Sequence, residues 1–164
     1  METGREYWAG QGKSSTSPGD VMADDIDPFD EGKHYAAPDI TVSFDAARCR
    51  HFAECVRGLP AVFDTGRRPW IDPAQADADV VAEVVRRCPS GALQYRLDSG
   101  IRESPDSSTT ATPLDGGPLL LRGNLTIVEV RDGVEVDRHE TRMAACRCGK
   151  TANDVFCDGS CTAA

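Results

Sequence analysis

The chain has 164 residues, seven cysteines and a formal net charge of −9. Its length suits one compact domain or two small ones, and an odd number of cysteines cannot all be joined in internal disulfides. Nucleic acid is bound through a basic surface that displaces counterions, so this acidic chain is excluded from the nucleic-acid-binding class.

The distribution of apolar residues predicts a soluble protein. No apolar run approaches the roughly 20 residues that span a bilayer, and the amino terminus lacks the basic stretch and apolar core of a secretory signal. We therefore expect a cytoplasmic protein with no membrane contact. In that reducing setting, clustered cysteines more often bind metal or carry out redox chemistry than form disulfides. An acidic surface also suits docking to a basic patch on a redox partner protein.

The first third of the chain predicts a tail followed by a strand. Residues 1–35 are polar and turn-prone, which indicates a disordered tail. From Ile40 onwards, Ile40, Val42 and Phe44 alternate with polar residues, which is the period of a half-buried strand.

A helix and a closing strand are predicted next. Asp77 can cap a helix that ends before Pro89, and its predicted apolar face consists of Val80, Val81, Val84 and Val85. The turn at Ser90 and Gly91 then leads into a short strand over 92–95. Residues 36–97 thus predict a small α+β domain.

Three cysteines belong to this domain. Cys49 and Cys55 lie six residues apart, and Cys88 comes at the end of the predicted helix, before a proline. Bacterial ferredoxins combine closely spaced cysteines with a distant Cys-Pro, although Phe52 stands here where they usually place another cysteine. Buried, unliganded cysteines are the alternative, because free cysteine packs well in cores.

The run from Ile40 to Tyr95 resembles the divergent single-cluster ferredoxin-like family, which is often described as binding 4Fe–4S. The matching segments are Cys55–Phe63, Arg68–Ile71 and Cys88–Leu93. The resemblance implies that Cys49, Cys55 and Cys88 hold a cluster. Three thiolates suffice for a 3Fe–4S cluster, or for a 4Fe–4S cluster whose last iron takes His51, water or an external ligand. We favour a supporting hydrogen-bond role, or simple exposure, for His51.

Residues 98–117 are rich in Ser, Thr, Pro, Gly and Asp and predict a flexible linker. Beyond it, apolar segments over 125–130 and 134–136 flank Asp132-Gly133, the dipeptide that most favours a tight hairpin turn. Residues 118–164 therefore predict a small β-rich domain. A unit of this size has little core and usually needs a metal or disulfide staple.

The last four cysteines can supply that staple. Cys146 and Cys148 are separated by one residue and can reach the same iron, and Cys157 and Cys161 follow. Four thiolates also suit zinc, and two disulfides in an exported chain are a further alternative.

The pattern Cys146-x-Cys148-x-x-Thr151, followed by Cys157-Asp158-Gly159-Ser160, resembles the CDGSH iron–sulfur domain. That family binds a 2Fe–2S cluster through three cysteines and a histidine. The resemblance implies that Cys146 and Cys148 hold the inner iron and Cys157 the outer iron. Val155 stands where the family usually has proline, and Cys161 stands where it has the histidine.

As a ligand, Cys161 would change the expected chemistry of this centre; the alternative is that Cys161 is not a ligand and the site is incomplete. A thiolate is a stronger, anionic donor, so an all-cysteine 2Fe–2S centre should have a lower reduction potential than the family norm. It should also be less labile in mild acid, since it lacks the histidine that protonates near neutral pH. Restoring the family residue with Cys161→His should raise the potential.

Two clusters on one short chain indicate electron transfer. No nucleophile–base pair, phosphate loop or substrate pocket can be identified, so we expect a non-enzymatic carrier that serves a larger oxidoreductase. A redox or iron sensor that donates its cluster, and a zinc-stapled interaction module, stay open as alternatives. The sequence leaves the oligomeric state and the direction of electron flow open.

Overall fold

The structure is a computed structural model that describes residues 25–160. In these residues the helices are α1 (Pro28–Glu31), α2 (Glu54–Gly58) and α3 (Ala78–Arg86), with 3₁₀ turns at Ala46–Arg48 and Pro73–Gln75. The strands are β1 (Lys33–Ala37), β2 (Ile40–Phe44), β3 (Leu93–Leu97), β4 (Thr110–Pro113), β5 (Leu119–Arg131) and β6 (Val134–Ala145). None of the described helices has the length and apolar character needed to cross a membrane.

The first half is an antiparallel sheet of order β1-β2-β3, covered by α3. The predicted strand at Ile40–Phe44 is confirmed, and the closing strand runs over Leu93–Leu97. Its core is a cluster of buried apolar side chains from β2, α3, β3 and the intervening loop, among them Ile40, Val42, Phe63, Val81, Val85 and Leu93.

Helix α3 buries a narrower face than the sequence predicts. Val81, Val84 and Val85 are buried, whereas Val80 is 46% exposed. Residues spaced by three and four share one helix face, so Val81, Val84 and Val85 define the stripe and Val80 falls at its edge. Asp77 occupies the N-cap position, although its side chain makes no capping hydrogen bond.

Order begins earlier than the sequence predicts. Within the predicted tail, α1 and the start of β1 are formed, and β1 pairs antiparallel with β2. Asp27 caps α1 by accepting a 3.0 Å hydrogen bond from the backbone N–H of Phe29, whose ring is buried under the guanidinium of Arg96. The contact between Phe29 and Arg96 joins residues distant in sequence, so local composition does not reveal it. The tail prediction for residues 1–24 lies outside the described residues.

The second half is an antiparallel sheet of order β4-β5-β6. The predicted hairpin turn is confirmed, since Asp132 and Gly133 join β5 to β6 with φ values of 53° and 79°. A register shift lies between Arg122 and Leu125, where Gly123 has a φ of 136°. Two small units of few helices and two three-stranded sheets confirm the predicted α+β fold with a β-rich second part.

The predicted linker contains a strand. Thr110–Pro113 forms β4, which pairs with the start of β5. Upstream, Asp106 accepts hydrogen bonds from the guanidinium groups of Arg86 and Arg122. Exposed Ser- and Thr-rich residues can form an edge strand once a partner strand offers its backbone groups, and composition alone does not show that partner.

The two halves are in direct contact through arginine side chains. Arg142 of β6 is 1% exposed and donates hydrogen bonds to the carbonyls of Cys88 (2.6 Å), Leu93 (2.7 Å) and Val85 (2.9 Å). Arg48 forms a two-pronged ion pair with the fully buried Glu140, at 2.8 and 2.9 Å. Both contacts cross from one sheet unit to the other.

Candidate functional site

The cysteines of the first unit line one cleft. Cys49 directly follows the 3₁₀ turn, Cys55 lies in the first turn of α2, and Cys88 lies just beyond α3. All three are half-buried and free of disulfides. The rest of the lining consists of Phe44, Arg50, His51, Phe52, Ala53, Glu54, Trp70, Pro89, Ser90, Ala92 and Leu93.

The three thiols influence one another. Burial raises the pKa of Cys49, and burial together with repulsion from Cys88 raises the pKa of Cys55 to about 11. Without a bound metal, Cys55 is therefore protonated at neutral pH. Iron binds thiolates, so loading this cleft must release protons.

Backbone conformation wraps the loop between Cys49 and Cys55 around the cleft. His51 and Ala53 have φ values of 52° and 61°, in the left-handed region that costs a non-glycine residue about 1–3 kcal/mol. The Nδ1 atom of His51 lies 4.0 Å from the sulfur of Cys49, and the ring is exposed. This placement keeps His51 beside the cleft, as a supporting role requires.

Among residues 25–160, no group of three or more Cys, His, Asp or Glu side chains is arranged to hold a single metal ion. A cuboidal cluster makes a different demand, because each cysteine binds its own iron and the sulfurs stand around the cluster instead of meeting at one point. Three thiols that share a cleft without converging fit that demand. Their donor set suits iron–sulfur chemistry, since soft thiolates select such clusters.

The cysteines of the second unit lie where β6 ends. The sulfurs of Cys146 and Cys148 are 3.7 Å apart. Two thiolates on one tetrahedral metal, with metal–sulfur bonds of about 2.3 Å, have their sulfurs about 3.8 Å apart. The pair is thus spaced to share a single ion. No disulfide joins any of the six cysteines within the described part of the chain.

Backbone hydrogen bonds hold Cys157 and prepare Cys146 for metal. The buried Cys157 donates its N–H to the carbonyl of Ala144 at 2.8 Å, which ties the loop back to β6. The N–H of Thr151, followed by that of Gly149, lowers the pKa of Cys146. Gly149 has a φ of 70°, so the turn that presents these donors requires glycine.

Asp158 and Ser160 of the CDGS segment stabilise this loop. Asp158 accepts hydrogen bonds from the Ser160 hydroxyl (2.5 Å), the Ala152 N–H (2.9 Å) and the Ser160 N–H (2.9 Å), which together hold its carboxyl pKa far below the usual range. Thr151 donates its hydroxyl to the carbonyl of Phe156 at 2.6 Å. Cys161 lies outside the described residues, so its ligand role stays a prediction.

The comparisons with known proteins agree with this geometry. The family described as "Divergent 4Fe-4S mono-cluster" matches residues 35–98. The "Uncharacterized protein YjdI" of Escherichia coli (strain K12) is 45% identical over 62 residues, which are 38% of this chain and 82% of the relative. Its counterpart in Escherichia coli O157:H7 shows the same identity and coverage. The chain belongs to the divergent 4Fe–4S mono-cluster family.

A second family, described as "Iron-binding zinc finger CDGSH type", matches residues 116–160. The predicted pairing of a divergent mono-cluster domain with a CDGSH domain is confirmed, and the chain therefore carries two iron–sulfur-binding domains. No solved structure matches the chain.

The cysteine loops of the mono-cluster domain and the CDGSH domain face each other. The guanidinium of Arg48, next to Cys49, lies 4.4 Å from the ring centre of Phe156, next to Cys157. Asn153 donates a 3.2 Å hydrogen bond to the carbonyl of Ala47. The two candidate sites are thus joined by side chains that are direct sequence neighbours of their cysteines.

Sequence reasoning missed these bridging residues. No motif includes Arg48, Phe156 or Arg142. The only indication in the sequence is that Arg48 and Phe156 each lie next to a cysteine. Four arginines of the first domain, Arg50, Arg57, Arg67 and Arg68, put positive charge near the first cysteine set, which tunes an anionic cluster if they lie beside it and has no effect if they lie on a solvated face. In the structure, Arg57, Arg67 and Arg68 donate to nearby backbone carbonyls within the mono-cluster domain.

Proposed function

We propose that this protein is a non-enzymatic, cytoplasmic electron carrier that passes electrons through two clusters on one chain. Cys49, Cys55 and Cys88 hold a 3Fe–4S or 4Fe–4S cluster, and Cys146, Cys148, Cys157 and Cys161 hold a 2Fe–2S cluster. The observation that carries the proposal is the direct contact between the two cysteine loops through Arg48 and Phe156. Each cluster supplies one-electron chemistry with little rearrangement.

The surroundings of the sites support a carrier. The mono-cluster cleft is lined in part by the aromatic rings of Phe44, Phe52 and Trp70, which make its walls partly apolar. Cys148 is exposed, so the CDGSH site lies near the surface where a redox partner can approach. The net charge of −9 favours a partner, such as an oxidoreductase, that presents a basic patch.

The test is anaerobic purification of the full chain with iron, acid-labile sulfide and zinc analysis, followed by EPR of the dithionite-reduced protein. We expect a brown protein, two clusters per chain and reversible one-electron cycling. When both clusters are paramagnetic, their proximity should broaden or split the EPR signals. Cys88→Ser, which removes one ligand of the mono-cluster site, should abolish this interaction and leave the CDGSH signal unbroadened.

A colourless protein containing zinc and no acid-labile sulfide would contradict the proposal and favour the zinc-stapled interaction module. Two clusters with no magnetic interaction would contradict the relay between them.

A cluster donor or sensor is the second candidate, and the exposure of Cys148 favours it because an accessible ligand can be attacked by an acceptor protein. Incubation with an apo-ferredoxin distinguishes the two functions. Rapid transfer of iron and sulfide to the acceptor supports the donor, whereas retention over many redox cycles supports the carrier.

A further inference from the structure

Arg50 lies between the two candidate sites. It directly follows Cys49 in the mono-cluster loop, and its guanidinium packs against Gly159 of the CDGS segment. A Cβ atom on Gly159 would lie 2.6 Å from Nη1 and closer still to Nη2 of Arg50. Gly159 also has a φ of 89°, so this position needs glycine both for its backbone and for the space that Arg50 fills.

The charge of Arg50 is not neutralised within residues 25–160. No carboxylate there forms an ion pair with it, whereas the neighbouring Arg48 is paired with the buried Glu140. The Nε atom of Arg50 is buried and has no hydrogen-bond partner in the same described range. A buried, unsatisfied donor on a cation costs free energy unless a negative group accepts from it.

Arg50 lines the same cleft as Cys49, Cys55 and Cys88, whose thiols become anionic when they bind iron. On the other side, Gly159 lies two residues beyond Cys157. The same guanidinium is therefore placed beside both cysteine loops.

We propose that both iron–sulfur sites share Arg50, and that its positive charge raises the reduction potentials of both clusters. This inference rests on the proposed function, because it requires both clusters to be bound. Each one-electron reduction adds one negative charge to a cluster, and a nearby cation stabilises the reduced form relative to the oxidised form.

The test is Arg50→Gln in the full chain, with each potential measured by dithionite titration followed by EPR. We expect the equilibrium constant for reducing each cluster to fall about tenfold, which corresponds to about 59 mV for one electron. Arg87→Gln is the matched control. Arg87 also adjoins a cysteine of the first site, but it is exposed and pairs only with Glu83 among the described residues, so the CDGSH potential should not move.

Arg50→Lys separates charge from packing. It keeps the positive charge. The equilibrium constant for reducing each cluster should therefore stay within about twofold of its value in the unaltered chain. A fall as large as that of Arg50→Gln would overturn charge as the cause. An unchanged CDGSH potential in Arg50→Gln, with both clusters retained, would overturn the sharing of Arg50 while leaving the electron-carrier proposal intact.

If Arg50→Gln loses the first cluster, the comparison moves to the Cys88→Ala background. Neither chain then holds the first cluster, and the effect of Arg50 on the CDGSH potential is measured alone. The same tenfold fall is expected there, and its absence overturns the inference. Iron and sulfide contents of each variant show which clusters are present, so a failure to bind clusters is read separately from a failure to shift the potential.

Discussion

Single charged side chains hold the amino-terminal segment against the CDGSH domain. Glu31, at the end of α1, accepts hydrogen bonds from Arg138 of β6 at 2.6 and 2.9 Å and from Arg131 at 3.2 Å. Burial raises the pKa of Glu31, but the two arginines outweigh burial and the net pKa is lowered. The ionised carboxylate is thus the form that stabilises this contact.

Glu31→Gln should lower the free energy of unfolding at pH 7 by about 1–2 kcal/mol, since charge-assisted hydrogen bonds are lost at a partly exposed site. Because the folded-state pKa is lowered, the contribution is present above the unfolded pKa of about 4.3 and is lost as pH falls through the folded value. The two proteins should therefore converge only at pH values below the lowered folded-state pKa of Glu31. Urea unfolding followed by circular dichroism at several pH values measures this difference.

Glu83→Gln is the control, because Glu83 makes only an exposed ion pair with Arg87 within residues 25–160. Its effect should stay within about 0.5 kcal/mol at every pH. If Glu31→Gln changed the free energy of unfolding by as little as Glu83→Gln, the contact of Glu31 with β6 would contribute no stability.

At the scale of elements, two glycines of the second sheet have positive φ for different reasons. Gly133 forms the hairpin turn, and a Cβ there would meet nothing within 4 Å. Gly123 lies in the register shift of β5, and a Cβ there would lie 2.6 Å from the Cα of Thr109. The turn needs glycine for its backbone alone, whereas the bulge also needs it for close approach of another segment.

Gly133→Ala should therefore cost about 1–2 kcal/mol, the strain of a left-handed alanine. Gly123→Ala should cost about 1–3 kcal/mol more, since the backbone of Thr109 must also move. Thermal unfolding of both variants beside the unaltered chain measures the difference. Equal losses would show that the segment at Thr109 yields without cost.

At the scale of the whole molecule, a buried arginine joins the two domains. Arg142 satisfies three carbonyls of the mono-cluster domain, those of Val85, Cys88 and Leu93, and forms an ion pair with Glu103, which is 4% exposed. One of these carbonyls belongs to a cysteine of the first site. The interface therefore sets the position of that site as well as stabilising the fold.

Arg142→Met should lower the free energy of unfolding by about 3–5 kcal/mol, because it leaves Glu103 as an unpaired buried charge and orphans the carbonyls. Arg68→Met removes an equal charge from an exposed arginine that donates to the carbonyls of Thr65 and Arg67, and should cost less than about 1 kcal/mol. Denaturant unfolding of the full chain distinguishes the two. Similar small losses would show that Arg142 does not hold the domains together.

Much of the local structure follows from the sequence. The strand at Ile40–Phe44, the helix α3 and the Asp132-Gly133 turn are all set by neighbouring residues, and each element is found where the pattern indicates, although Ser43 is buried and Val80 is exposed. Cysteine spacing likewise predicts that Cys146 and Cys148 share one metal, and their sulfurs are suitably close. These features depend on period, on turn geometry or on short spacing, which residue order alone specifies.

Only the tertiary structure decided how the parts meet. Strand β1 and strand β4 have weak patterns of their own and form because β2 and β5 offer them backbone partners. The placement of Arg48 and Arg50 against the CDGS loop joins residues that are about a hundred positions apart, so no local pattern contains it. Sequence specifies the cysteines and the short elements that carry them, whereas packing between domains decides which charges the two sites share.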